Sequence, residues 1–119
     1  MLLSVRLLTP LLFICWALFP SSSMADCRLD RQQQKRCGPG QCARDSDGNV
    51  YCAIHSGGGA LSDINGNIVC GVGFCTKDYL GKVWCSKQRG GLVGRDSKQK
   101  VECQGSCARG SAKLCVPGR

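Results

Sequence analysis

Cys37-Gly38-Pro39-Gly40-Gln41-Cys42, continuing to Tyr51-Cys52, is echoed on a 33-residue period by Cys70-Gly71-Val72-Gly73-Phe74-Cys75, continuing to Trp84-Cys85. A shortened copy, Cys103 to Cys107 to Cys115, ends the chain. The match extends beyond the cysteines. Gly57-Gly58 aligns with Gly90-Gly91, Asp63 with Asp96, and Asp45, Gly48 and Val50 with Asp78, Gly81 and Val83. Periods of this size mark stacked supersecondary units, each too small to bury an apolar face alone. The pattern predicts repeat 1 at 37–69, repeat 2 at 70–102 and a truncated repeat 3 at 103–119.

Each unit carries a smaller signal. Asp-x-x-Gly followed by Asn or Lys occurs at Asp45–Asn49, Asp63–Asn67 and Asp78–Lys82, and again at Asp96–Lys100 with Gln99 where glycine is expected. The aspartate starts a type I turn by accepting backbone hydrogen bonds. Glycine then takes the left-handed position of a three-residue hairpin loop. The flanks, such as Asn49-Val50-Tyr51-Cys52 and Lys82-Val83-Trp84-Cys85, are short β-type runs, and no helical periodicity competes with them. The expected fold is small, all-β and disulfide-rich: tandem short β-hairpins in about 33-residue repeats with a truncated third copy. The alternative is an irregular knottin-like coil.

Turn geometry also predicts cross-links. With a three-residue loop Asp45 opposes Asn49, and counting back sets Cys42 opposite Cys52 and Cys75 opposite Cys85. Cys107 and Cys115 are expected to close the shortened third hairpin. The remaining Cys27, Cys37, Cys70 and Cys103 can join in three ways, with Cys27–Cys37 and Cys70–Cys103 the preferred set.

The first 25 residues read as a signal peptide. Arg6 supplies a positive start, Leu7 to Phe19 is mostly apolar, and Ser23-Met24-Ala25 offers small residues for cleavage after Ala25. The apolar run is short of the ~20 residues that a spanning helix needs, and Pro10 interrupts it. Cleavage removes one of eleven cysteines and one cation, leaving an even ten cysteines and a net charge of +7 in place of +8. No later apolar run predicts a transmembrane segment. The expected location is secreted or periplasmic, where disulfides persist. Residues 26–36 read as a polar, basic N-terminal cap outside the repeat, with a helical turn or two tethered by Cys27.

The chain resembles small exported bacterial cysteine-rich tandem-repeat proteins, in which C-G-x-G-x-C, a basic-Asp-x-x-Gly turn, a closing Cys and G-G-G-A recur. Cys37 to Cys42, Arg44-Asp45, Gly48, Cys52 and Gly57-Gly58-Gly59-Ala60 carry the likeness. It implies export and tandem repetition and transfers no functional residue. Leu92-Val93 in place of Gly-Ala, and Gln99 in place of Gly, depart from the pattern.

The composition narrows the chemistry. Zinc sites favour cysteine pairs two to four residues apart with histidines nearby, whereas His55 is the sole histidine and Cys37/Cys42 and Cys70/Cys75 have four residues between them. No metal or cofactor is expected. No Cys-x-x-Cys suggests a redox role, and a single histidine with one glutamate, Glu102, gives no basis for an enzyme. Charge is the better lead. Arg28, Arg31, Lys35 and Arg36 crowd the N-terminal cap, while Lys77, Lys82, Lys87 and Arg89 gather around the second hairpin. Such an excess attracts anionic polymers and surfaces. Four scattered aromatics (Tyr51, Phe74, Tyr79, Trp84) do not supply the stacking face that nucleic acid requires. The expected function is a secreted binding module whose basic surface meets an anionic envelope component, polysaccharide or protein. The alternatives are a cationic antimicrobial or toxin-like protein, and an extracellular protease inhibitor acting through Asp78-Tyr79-Leu80-Gly81.

So few aromatics cannot build much core in a domain of this size. One disulfide closing a loop of about ten residues contributes roughly 2–3 kcal/mol on the chain-entropy estimate, against a typical net stability of ~5–15 kcal/mol. A strong reducing agent is therefore expected to unfold the mature domain. Circular dichroism and protease resistance that survive full reduction would contradict this.

Overall fold

The computed structural model describes residues 26–119; the expected signal peptide and its cleavage after Ala25 lie outside the described residues. Five aspartates set the architecture. Asp30, Asp45, Asp63, Asp78 and Asp96 each use Oδ1 to accept the backbone N–H groups two and four residues ahead, at 2.8–3.0 Å. The residue three after each aspartate has a left-handed backbone, with φ of 66° at Gln33, 89° at Gly48, 84° at Gly66, 85° at Gly81 and 66° at Gln99. Each turn closes an antiparallel hairpin. The hairpins are β1 (Asp26–Leu29) with β2 (Lys35–Gly38), β3 (Cys42–Arg44) with β4 (Val50–Ala53), β5 (Ala60–Ser62) with β6 (Ile68–Cys70), β7 (Cys75–Lys77) with β8 (Val83–Ser86), and β9 (Val93–Arg95) with β10 (Val101–Cys103). The fold is all-β, small and built from short hairpins held by five disulfides.

The expected helical turns at residues 26–36 do not form. That segment supplies the first hairpin, because Asp30 starts the same turn as the other four aspartates. Arg36 Nε adds a bond to Asp30 Oδ2 at 2.9 Å.

Opposed positions explain three of the disulfides. Cys42 faces Cys52, Cys75 faces Cys85 and Cys27 faces Cys37, and each pair is bonded. In the two remaining hairpins Ala60 faces Cys70 and Val93 faces Cys103, so those cysteines look elsewhere. The structure joins Cys103 to Cys107 and Cys70 to Cys115, in place of the expected Cys107–Cys115 and Cys70–Cys103. Residues 108–114 contain no Asp-x-x-Gly to reverse the chain, so the third hairpin that would have set Cys107 against Cys115 is missing.

The tail instead runs back along the array. Strand β11 (Cys107–Arg109) adds to β8, with Arg109 opposite Trp84, making a three-stranded sheet with β7. Gly110 N–H bonds to Val83 O, Ser111 bridges Cys70, and Ile54 N–H reaches Leu114 O after a short 3-10 turn at Ala112–Leu114. Strand β12 (Cys115–Pro117) then adds to β4 beside β3, and Arg119 exchanges two backbone hydrogen bonds with Cys37. One segment of chain thus touches hairpins from the fourth back to the first.

The buried interior is small-residue and sulfur-rich. Ala53, Ala60, Ile68 and Cys70 form one cluster, with Tyr51, Leu114 and Cys115 against it; Cys42, Val50 and Cys52 form another. The motif glycines exist for this packing. A Cβ on Gly38 would fall on Cys52 Cβ, and one on Gly71 would fall on Cys85 Cβ. The Cys-Gly pair is therefore a unit: the glycine seats the disulfide of the next hairpin.

The turns also stack. Arg31, Ser46 and Ile64, each directly after a turn aspartate, lie over Gly48, Gly66 and Gly81 of the following turn. A Cβ on those glycines would stand 2.5–3.0 Å from the covering side chains. The backbone joins in at the first two steps, through Arg31 N–H to Gly48 O at 3.0 Å and Ser46 N–H to Gly66 O at 3.3 Å. Gln33 and Gln99 stand at the left-handed position without being glycine, at a cost of about 1 kcal/mol each.

Three outcomes follow from this architecture. The paired change Cys70→Ser with Cys115→Ser removes a link spanning 45 residues, worth about 4 kcal/mol on the chain-entropy estimate. It should lower the denaturation midpoint and open the tail to trypsin while leaving the three in-hairpin disulfides intact by non-reducing peptide mapping. Gln33→Gly should raise stability by no more than about 0.5 kcal/mol net, because relief of about 1 kcal/mol of left-handed strain is largely offset by roughly 0.4–1 kcal/mol of added flexibility in the unfolded chain; a loss above about 0.5 kcal/mol in chemical denaturation would refute this. The carboxyl of Asp30 is held below the usual range by the Gln34 N–H first and then by Arg36, and that of Asp78 by the Trp84 indole N–H first. Groups lowered on folding stabilise fully above their unfolded values, near 4, and lose that contribution as pH falls through the folded ones. Stability should therefore fall as pH drops below about 4, and Asp30→Asn should blunt that acid limb measured by denaturation at stepped pH.

Candidate functional site

Residues 26–119 hold fifteen Lys and Arg side chains against eight Asp and Glu. The acids are mostly committed to the backbone. Five serve the turns through Oδ1, and Asp26 Oδ2 accepts the Cys42 N–H at 3.0 Å. Among the described residues, Arg36 with Asp30 is the one ion pair within 4.0 Å. Because the cations outnumber the carboxylates by seven, the surface carries a net positive field.

The structure divides the eight basic residues singled out in the sequence. Arg28 on β1 and Lys35 on β2 are exposed and share an open cleft of about 500 Å³ with Leu29 and Arg44. Arg44, at the end of β3, figures in the sequence only as the basic residue before the Asp45 turn; the packing of the first two hairpins brings it into the cleft. Arg31 is exposed at the turn above Gly48, and Arg36 is turned inward onto Asp30 and onto Gln34 at 3.0 Å. Lys77 on β7 is partly buried, with Nζ 3.5 Å from Ser62 Oγ and its carbonyl capped by Arg95. Lys82, at the tip of the β7–β8 hairpin, is exposed beside Asp63 and Ile64. Lys87 and Arg89 belong to the loop joining β8 to β9, on the opposite edge of the array from the aspartate turns. Arg89 meets His55 Nδ1 at 2.9 Å. The eight do not share one face.

A second cluster combines aromatic and cationic groups. Trp84 lies at the centre of the β7–β8–β11 sheet, its indole N–H donating to Asp78 Oδ2 at 2.9 Å. Arg109, directly opposite on β11, places its guanidinium 5.4 Å from the ring centroid, a cation–π arrangement. Tyr79, 81% exposed, stands at the neighbouring turn. Tyr79 and Trp84 share a cleft of about 320 Å³ with Gln99, Lys100 and Val101. The same position of the first three-stranded sheet holds Tyr51 opposite Pro117 and Ala43, packed against the core. Both aromatics are half-buried; only in the second sheet does the residue opposite on the added strand supply a guanidinium.

All ten cysteines of residues 26–119 are in disulfides, and among the described residues no three His, Cys, Asp or Glu side chains converge to hold a metal. Disulfides on this scale fit a non-cytoplasmic, oxidising compartment. No helix among the described residues is long and apolar enough to cross a membrane. No protein-family model, curated protein or solved structure matches this chain.

Proposed function

We propose that this protein is an exported, disulfide-stabilised binding module that holds an anionic polymer of the cell envelope or its surroundings through its cationic surface. One observation carries the reading: residues 26–119 hold fifteen Lys and Arg against eight Asp and Glu, and three of those basic side chains, Arg28, Lys35 and Arg44, line one cleft. Ionic attraction of this kind is long-ranged at low salt and fades once the Debye length falls below ~10 Å. A cross-linked array keeps the cations at fixed spacing, so little ordering is required on binding. The five disulfides support operation outside the reducing cytosol. The reading needs no catalytic group.

The test is retention of the mature protein on immobilised sulfated or uronate polysaccharide. Binding at low salt that is released as salt rises is the expected behaviour. Each cation close to an anionic surface contributes about 1 kcal/mol. The triple change Arg28→Ala, Lys35→Ala, Arg44→Ala should therefore weaken binding roughly ten- to a hundredfold without altering the fold by circular dichroism. No retention at low salt, or retention unchanged in the triple variant, would sink the proposal.

A further inference from the structure

The stacking of turns fails at one step, where the cleft of about 320 Å³ is larger than the one of about 230 Å³ between the third and fourth turns, which do stack. Arg31, Ser46 and Ile64 each cover the glycine of the following turn. Tyr79 holds the equivalent place after Asp78, but the turn it should cover carries Gln99 in the glycine position, with φ of 66°. A side chain now occupies the space that the covering residue fills at the other three steps. Tyr79 is left 81% exposed, and a gap of about 320 Å³ separates the fourth and fifth turns. Gln33, the other non-glycine at this turn position, belongs to the first turn among the described residues, with no described turn before it to exclude. A strained residue kept where glycine fits better is a feature of sites more often than of scaffolds.

The lining of the gap is amphiphilic. Trp84 and Tyr79 provide flat apolar wall, and the Trp84 N–H is already satisfied by Asp78, so a ligand can pack on the indole without stranding a polar group. Gln99 brings a carboxamide whose oxygen is approached by Arg95 Nη1 at 3.4 Å. Lys100 is exposed at the rim; the Asp78 carboxylate also lines the cleft, engaged by the Trp84 N–H and its turn amides, and Arg109 lies over the indole from outside the lining. A sugar ring has the matching surface: C–H faces for aromatic rings, a hydroxyl edge for an amide, and in a uronic acid a carboxylate for an ammonium or guanidinium. The geometry points to this cleft as a binding subsite for an acidic oligosaccharide of the uronate type. The assignment deepens the reading above and rests on it for the sign of the ligand's charge. It moves the specificity to a place distinct from the Arg28–Lys35–Arg44 cleft.

Trp84 is the only tryptophan in residues 26–119 and so reports directly on its own site. The mature protein is titrated with a uronate tetrasaccharide at physiological salt while tryptophan emission is followed. Parallel titrations use a neutral glucose tetrasaccharide, an oligoglutamate peptide of equal charge and inorganic phosphate. The uronate should give a saturable change, with the other three weaker by about tenfold or more. Tyr79→Ala, an exposed change that spares the fold, and Gln99→Gly, which lets Tyr79 close over the turn, should each lower uronate affinity about tenfold. Gln99→Gly should at the same time raise the melting temperature, separating loss of the cleft from loss of structure. Emission that does not respond to the uronate, an equal response to any of the three controls, or unchanged affinity in Tyr79→Ala would overturn the assignment. The Arg28/Lys35/Arg44 triple variant should keep the tetrasaccharide affinity even as polymer retention falls, so failure of one site is read separately from failure of the other.

Discussion

A disulfide between directly opposed strand positions is the constraint on which the rest of this structure depends. The described chain has too few large apolar side chains to make a continuous core, and sulfur substitutes for them. Cys52 and Cys70 are completely buried, with Cys42 and Cys85 nearly so. Each in-hairpin bridge both closes a loop and fills the space between neighbouring hairpins. Gly38 and Gly71 are tied to this arrangement, since any side chain there would collide with the bridge beneath. The C-G-x-G-x-C signature thus describes packing and carries no chemistry of its own.

What could be read from the sequence was local. Asp45 with Gly48 defines a turn, the turn defines the register, and the register sets Cys42 against Cys52; every link spans ten residues or fewer. The same reasoning fails wherever one link is disguised or distant. Gln33 hides the first turn because the glycine cue is absent, although Asp30 makes the same two hydrogen bonds as its counterparts. The partners of Cys70 and Cys103 depend on which residue faces them, and Ala60 and Val93 in those positions leave each cysteine to be claimed by tertiary structure. Cys115 reaches Cys70 only because the tail passes Ser111 across β6, a pairing with no local sequence signal. Arg44 joined the basic cleft for a similar reason: its neighbours Arg28 and Lys35 come from another hairpin.

The returning tail changes how such an array holds together. In a linear stack each unit touches only its neighbours, and the ends fray independently. Here β11 completes the sheet of β7 and β8, and β12 completes that of β3 and β4. Arg119 finally bonds to Cys37 on the first hairpin. The tail also covers one edge of β8 and one of β4, edges that would otherwise be open to pairing with other chains. Coupling across the array and protection of its edges therefore come from the same thirteen residues, 107–119.

Regularity is what makes the exceptions informative. Three steps between turns obey one stacking rule, in which a side chain after the aspartate rests on the next glycine, and the rule is broken where Gln99 meets Tyr79. Two three-stranded sheets share a register, yet one sets half-buried Tyr51 against the core beside Pro117 while the other sets half-buried Trp84 beneath the Arg109 guanidinium. The turn aspartates keep their charge, and Asp30 pairs with Arg36 while serving its turn, so the positive surface comes from the surplus of fifteen Lys and Arg over eight Asp and Glu in residues 26–119. In a fold assembled from locally consistent parts, the positions that give up consistency without a gain in packing are those left free for binding. Tyr79, Trp84, Gln99 and Lys100 are such positions, and they lie together.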